Sequence, residues 1–424
     1  MWTDTLLIVG TAVAVAGISV LIANLVMVQR GINYKIAELP ALDSAAFERL
    51  LAGLLGLRLV RGNRIQLLSN GKEAFPAMFE AVRGAKQSVT FENYVYWSGE
   101  IGREFAQLLA EKAGQGVRVH VVLDWVGSLS MDAEAMRAMS RSGVEVHRYH
   151  RPRFGGMHCL NHRTHRRELV VDGQVAFTGG IGFGDKWRGD GGSLDHWRDN
   201  HYRIQGPLVS NLQGAFADNW LKTSGDVLIG DRYFPELNAC GDLVAGVMCS
   251  APQERTTNGR LLIMLLFAGA KRAIRIEQAY FVTDRHLRQA LAEAARRGVE
   301  VEILLPGEKI DFSVVRRASR ATWRPLLEAG VRIYEYQPTM LHVKAMIVDD
   351  QWTLAGSANL DNRSLYRNDE IYLAVRDREF ARQHIEDFER DKQDAVQITL
   401  DQWRSRPLPQ RLLDGATSLL RTQL

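Results

Sequence analysis

The chain has 424 residues, enough for two or three domain-sized units around a substantial core. Its 46% hydrophobic and 24% charged content excludes a disordered chain, and a net charge of +4 is too slight to argue for nucleic acid, so no such partner is expected. The three cysteines, Cys159, Cys240 and Cys249, lack metal-type spacing, which argues against a zinc site or a disulfide framework and fits a reducing compartment.

Residues 6–28 hold no charged side chain, and 23 such residues make a helix of about 34 Å, long enough to cross a bilayer. The residues before it carry no Lys or Arg and the run is long for a cleaved signal, so residues 1–29 read as an uncleaved transmembrane anchor. Asp4 precedes the run while Arg30 and Lys35 follow it, which places the remaining body in the cytoplasm. Residues 30–62 read as a helical connector, with apolar residues at helical spacing between Ser44 and Leu59.

A first lobe spans 63–225, with a helix at 75–82, a strand through Phe91, a helix at 104–113 and strands at 117–124 and 144–147. An irregular link, 226–242, leads to a second lobe at 243–400. That lobe repeats the theme with a helix at 261–270, a strand at 274–278, a helix at 285–296 and a strand at 299–305. The alternation predicts an α/β fold, a mixed sheet in each lobe with helices on its faces. The tail, 401–424, predicts a helix over 408–424 with Leu412, Leu413, Ala416, Leu419 and Leu420 on one side. Such a stripe packs on its own protein more often than on a membrane surface.

The pattern His-x-[Lys/Arg]-x4-Asp occurs twice, at His165, Arg167 and Asp172 and again at His342, Lys344 and Asp349. A small pair follows each copy, Gly179-Gly180 and Gly356-Ser357, and every one of these positions is offset by 177 residues. The repeat extends upstream: residues 88–94 resemble 273–280, and both are followed by an amphipathic stretch and a Gly-Val-x-Val strand entry at Gly116 and Gly298. Asp199 and Glu370 take comparable places after each motif. The chain is an internal duplication of a strand-helix-strand unit, whose lobes are homologous.

The apolar residues inside each motif make it a buried strand, on which alternate side chains share a face. His165 therefore projects with Arg167, and His342 with Lys344. The motif aspartates Asp172 and Asp349 belong to the catalytic signature, yet their odd separation turns them away, toward fixing the strand end or the following turn. If the lobes meet about an approximate two-fold axis, one imidazole can attack phosphorus while the other donates to the leaving alkoxide. Arg167 and Lys344 would stabilise charge on the non-bridging oxygens. Asp199 and Glu370 are suited to orient the imidazoles. Gly180 lets backbone pass close to a ligand, and Ser357 and Asn359 could add neutral hydrogen bonds to phosphate. No metal-ligand pattern is present, so no cofactor is expected. The other histidines read as ordinary, with His158 and His162 candidates for the cleft entrance, and the nine tryptophans read as core.

These residues resemble the phospholipase D superfamily, whose signature is the paired His-x-Lys-x4-Asp motif with a following Gly-Gly or Gly-Ser. The likeness is closest to bacterial cardiolipin synthases of the phospholipase D type. It rests on the residues 91–97, 123–127, 161–167, His196-Trp197-Arg198-Asp199, 334–338 and Asp361-Asn362-Arg363-Ser364, and covers about residues 60–405. The resemblance implies two phospholipase D-like lobes and transfer of a phosphatidyl group from phosphatidylglycerol, through a phosphohistidine on His165, to a second lipid alcohol, with His342 as acid and base. It implies phospholipid substrates, including phosphatidylethanolamine as a second acceptor, and a bacterial inner-membrane location. Two departures stand out: Arg167 replaces the usual Lys, and Gly182 stands where the second copy has Asn359. The competing readings are a hydrolase or nuclease with water as acceptor, and an inactive lipid-binding scaffold.

Overall fold

The computed structural model describes residues 11, 32, 34–36, 38–151, 161–251 and 258–424. The first half contributes β1 (Val60–Ser69), β2 (Ser88–Asn93), β3 (Arg118–Asp124), β4 (Glu145–Tyr149), β5 (Glu168–Val171), β6 (Val175–Gly179) and β7 (Asn200–Gln205). The second contributes β8 (Leu243–Ser250), β9 (Ala273–Gln278), β10 (Phe281–Val282), β11 (Glu300–Pro306), β12 (Arg332–Tyr336) and β13 (Lys344–Val348). It continues with β14 (Trp352–Gly356), β15 (Leu360–Asp361), β16 (Glu370–Arg376) and β17 (Ala395–Ile398).

A single 15-stranded sheet runs through both halves, in the order β17-β12-β11-β9-β13-β14-β16-β8-β1-β7-β6-β5-β2-β3-β4. The duplication is visible in that order, because reading outward from the central β1–β8 pair gives the same sequence of roles in both directions. The mixed α/β expectation holds, but the separate sheet expected in each lobe does not. β1 pairs antiparallel with β7 on one side and β8 on the other, so the halves share one hydrogen-bonded seam. A core of Ile65, Val170, Ala176, Tyr202, Val247, Ala355, Ile371 and Leu373 packs across that seam. In each half an antiparallel meander (β5-β6-β7 and β13-β14-β16) carries the motif strand beside a parallel pair (β2-β3 and β9-β11).

Several expected bounds shift. The connector is helical only over Ala45–Leu55; Gly56 closes it with a left-handed φ of 68°, its N–H donating to the Leu51 carbonyl. The chain then enters β1 at Val60, because pairing with β7 and β8 outweighs helical spacing there. The helix expected at 75–82 runs over Asn70–Arg83, and that at 104–113 over Glu100–Gly114. The tail helix ends at Ser418 rather than 424. Apart from Thr11, the apolar stretch 6–28 lies outside the described residues, as do His158 and Cys159. Among the described residues no helix is long and apolar enough to cross a membrane.

Candidate active site

His165 and His342 stand just before β5 and β13, and each is tied by its backbone to the opposite half. The His165 N–H donates to the Asp369 carbonyl at 2.9 Å, and the Asp369 N–H returns a bond to the Arg163 carbonyl at 2.9 Å. Likewise the His342 N–H donates to Arg198 at 2.7 Å, and the Arg198 N–H to Met340 at 2.9 Å. These reciprocal bridges are the structural form of the repeat at the site. They clamp each motif against the segment that opens the other half's β7 or β16.

The carboxylates follow the same crossing. His165 Nδ1 lies 2.9 and 3.0 Å from the two oxygens of Glu370, and His342 Nδ1 lies 2.6 Å from Asp199 Oδ2. Both carboxylates are fully buried and firmly held. Glu370 accepts the hydroxyls of Ser357 at 2.5 Å and Ser364 at 2.7 Å. Asp199 accepts the Trp187 indole N–H at 2.9 Å and the Asn200 N–H at 2.9 Å. With each Nδ1–H given to a carboxylate, each Nε2 lone pair is left toward the cleft. There Arg167 Nη2 approaches His165 Nε2 at 3.0 Å, while Lys344 Nζ donates to the His342 carbonyl at 2.5 Å and lies along the imidazole, 2.9 Å from Nδ1 and 3.2 Å from Nε2. Arg167 Nε and Nη1 are buried without a hydrogen-bond partner among the described residues, as is Asn359 Oδ1.

Both histidines, Arg167 and Asn359 line one cavity of about 380 Å³, so the two motifs share a chamber. Its walls are aromatic. The Tyr94 ring meets His165 edge-on with centroids 5.0 Å apart, while Trp187 and Trp197 stand 5.3 and 5.4 Å from His342. Tyr280 lies 6.3 Å from His342 and donates its hydroxyl to Asp311 at 2.6 Å.

Burial sets the electrostatics. It pushes His165 down to about 4 against the pull of Glu370, and His342 down to about 3, where Lys344 adds to the depression and Asp199 opposes it. Both imidazoles are therefore neutral near pH 7. Burial also brings Lys344 down to about 7, opposed by Asp199. Burial works to raise the Asp199 carboxyl, but His342 and Lys344 outweigh it and hold the group at about 2. Glu370 is likewise held below the usual carboxylate range, since His165, Ser357 and Ser364 overcome its burial.

Two sequence assignments, Gly180 and His162, need correction, and the motif aspartates have a structural role, as their place on the strand implies. Asp172 and Asp349 take no part in the cavity. Asp172 accepts the backbone N–H groups of Lys86, Gln87 and Ser88 at 2.7–2.9 Å, and Asp349 those of Lys271, Arg272 and Ala273 at 2.7–3.1 Å. Each thus fixes the loop entering β2 or β9, with its own φ at 52° or 54°. Gly180 does not line the cavity, and its N–H donates to the Asn200 carbonyl at 2.9 Å; a Cβ there would lie 2.0 Å from Asp199 Oδ1, so the missing side chain makes room for that carboxylate. Ser357, its repeat partner, instead supplies a hydroxyl to Glu370. His162 does not line the cavity, its Nδ1 facing the Arg367 carbonyl at 3.0 Å.

The sequence reading missed the aromatic walls and Ser364. Trp187 and Trp197 belong to the core as expected, with Trp97 packed against it, and all three also face the chamber. Their signal was the adjacency of Trp197 to Asp199 and the matched Tyr94 and Tyr280 of the upstream repeat.

A doubled α/β sheet that brings one histidine from each half to a single cavity, each with a cation against its imidazole, defines a two-histidine phosphodiester-handling enzyme. Residues 263–392 match the family described as "Cardiolipin synthase, PLD-like domain". Cardiolipin synthase A of Pseudomonas putida is 35% identical over 378 residues, covering 87% of this chain and 78% of that protein. Cardiolipin synthase 2 of Bacillus anthracis is 31% identical over 375 residues, covering 88% of this chain and 73% of that one. Among solved structures, the phosphatidylserine synthase of Haemophilus influenzae superposes with a TM-score of 0.69 at 16% identity, over 85% of this chain and 95% of its own, a likeness of fold. The chain belongs to the phospholipase D-type bacterial cardiolipin synthases, a family of phosphatidyltransferases.

Proposed function

We propose that the protein makes cardiolipin from phosphatidylglycerol through a phosphatidyl-histidine intermediate. The observation that carries this reading is the crossed pair of carboxylate–imidazole–cation relays around one cavity. The neutral His165 Nε2 attacks the phosphorus of a first phosphatidylglycerol, with Glu370 stabilising the imidazolium that develops. Arg167 and Lys344 turn their donors from the imidazoles to the non-bridging oxygens, where charge grows in the transition state. The P–O bond to glycerol breaks, and the alkoxide takes a proton from His342, which draws on the adjacent Lys344. In the second half-reaction His342 takes the hydroxyl proton of the acceptor lipid and returns it to Lys344. The acceptor oxygen then bonds to phosphorus, the P–N bond breaks, and His165 is restored.

The difference between the two cations supports the order of roles. Lys344, brought to about 7, can release a proton to its neighbour, whereas a guanidinium such as Arg167 stays charged. The proton-feeding cation stands beside His342 and the permanent one beside His165. The nucleophile's neighbour is thus the cation that cannot exchange its proton.

Residues 6–28 serve in this reading as the anchor that keeps the cytoplasmic body at the bacterial inner membrane, where both lipids reside. Incubation with phosphatidylglycerol alone, followed by lipid mass spectrometry, tests the reaction. Cardiolipin with equimolar glycerol supports it; phosphatidic acid as the sole product would mean that water is the acceptor.

A further inference from the structure

The helix Leu408–Ser418 is turned inside out. Its one buried residue is Asp414, 2% exposed and paired with the Arg406 guanidinium, while Leu408 and Leu412 are 64% and 65% exposed. Just beyond it Leu419 is 81% exposed. The helix packs on Ser313–Arg320, whose arginines Arg316, Arg317 and Arg320 lie in the field of Asp414. In water this arrangement keeps a salt bridge inside and leaves the leucines uncovered, the reverse of the usual economy of burial.

The leucines are not alone. Segment 421–424 runs from this helix to the cavity, where Gln423 and Leu424 form part of the wall. It is fastened there: Asn362 Nδ2 donates to the Arg421 carbonyl at 2.6 Å and Arg363 Nη1 to the Gln423 carbonyl at 3.3 Å. Phe312 and Val126 line the same cavity while remaining 59% and 39% exposed, on opposite halves of the molecule. Phe312 and Val126 thus stand at the mouth of the chamber, and the tail that carries the exposed leucines ends in its wall. Residues 401–424 also carry four Arg against two Asp, a net +2.

We infer that this leucine face, with Phe312 and Val126 at the rim, is a membrane-docking surface that seats the cavity mouth on an anionic bilayer. The inference rests on the reading of the substrate as a phospholipid. The chemistry fits a lipid surface better than a protein: an apolar face with cationic flanks, contiguous with a cavity that must admit acyl chains. A protein seated over Phe312 and Val126 would cap the entrance. Docked in the plane of the interface, the helix lets a lipid headgroup enter the cavity while its tails stay in the acyl layer.

The proposed anchor would hold any variant to a vesicle, so the readout must be local. The full-length protein, with Cys159, Cys240 and Cys249 replaced by Ala, is reconstituted in phosphatidylglycerol vesicles. It carries an environment-sensitive fluorophore at Leu412→Cys, Leu420→Cys or, as a control on the exposed link, Val227→Cys. Blue-shifted emission quenched by spin-labelled lipid is expected at 412 and 420 but not at 227. Water-like emission at 412 and 420 in preparations that make cardiolipin would overturn the docking inference, as would crosslinking of the labelled sites between two copies. Failure of the unlabelled protein to make any lipid product would instead sink the functional reading. In parallel, the triple substitution Leu412→Ser, Leu419→Ser and Leu420→Ser is expected to slow turnover of vesicle-borne phosphatidylglycerol about tenfold more than that of a short-chain, monomeric one. Equal effects on the two substrates would count against it.

Discussion

Asp199 accepts the Nδ1–H of His342 at 2.6 Å although 143 residues separate them and they belong to opposite halves of the repeat. Glu370 stands in the same relation to His165, reaching back across 205 residues. Neither half holds a complete His–carboxylate pair, so the site exists only when the seam between β1 and β8 is formed. Substituting Asp199→Asn or Glu370→Gln removes the charge behind one imidazole while keeping its shape. Each variant is expected to lose about 100-fold in rate with an unchanged circular-dichroism spectrum. Initial rates of cardiolipin formation check this, and a loss under threefold in both would contradict the orienting role.

Gly180 and Ser357 occupy equivalent places but solve different problems. A methyl at position 180 would lie 2.0 Å from Asp199 Oδ1, whereas Ser357 supplies one of two hydroxyls to Glu370. Gly180→Ala is therefore expected to displace the carboxylate and cost at least tenfold in rate, more than Ser357→Ala, which leaves Ser364 in place. Side-by-side rates of the two variants decide the ranking.

The motif aspartates should behave as structural residues. Asp349→Ala strips acceptors from three backbone N–H groups and is expected to destabilise the fold by about 1–3 kcal/mol, with Asp172→Ala similar. Denaturant or thermal unfolding measures the loss. Below the melting temperature both variants should keep at least half the wild-type rate, an outcome that a catalytic aspartate would not allow.

The acid-base assignment fixes a pH profile. The nucleophile His165 titrates near 4, so kcat/KM falls as pH drops through that value and the neutral imidazole is lost. Lys344 titrates near 7 in the free enzyme, so kcat/KM also falls as pH rises through 7 and the ammonium is lost. Lys344→Arg keeps the charge but not the exchangeable proton; its alkaline limb should move up by at least two pH units while its maximal rate declines. Steady-state rates on a short-chain phosphatidylglycerol across pH 4–10 test both limbs.

What the sequence revealed was local or repeated. The period of an extended chain places His165 beside Arg167 and His342 beside Lys344, although the strands themselves begin only at Glu168 and Lys344. The 177-residue offset pointed to doubling. The sequence did not reveal which carboxylate serves which histidine, since that depends on how β7 and β16 lie across the seam. Nor did it reveal the merging of two sheets into one, because β1 begins within the stretch read as a helical connector and shows itself as a strand only through its partners β7 and β8. Trp187 and Trp197 are core, as the sequence suggests, but composition cannot show that one side of such a packed ring also walls a chamber. Gly180 looked like a phosphate contact because its reason, the Asp199 carboxylate, arrives from 19 residues further along the chain.

The central claim is that a phosphatidyl group rests covalently on His165. Rapid acid-free denaturation during turnover of phosphatidylglycerol, followed by proteolysis and mass spectrometry, should find the phosphatidyl mass on the peptide containing His165. The adduct should be absent in His165→Ala and should accumulate in His342→Ala with a donor whose leaving group needs no proton. An adduct on His342 instead, or steady turnover with neither histidine ever modified, would contradict the account.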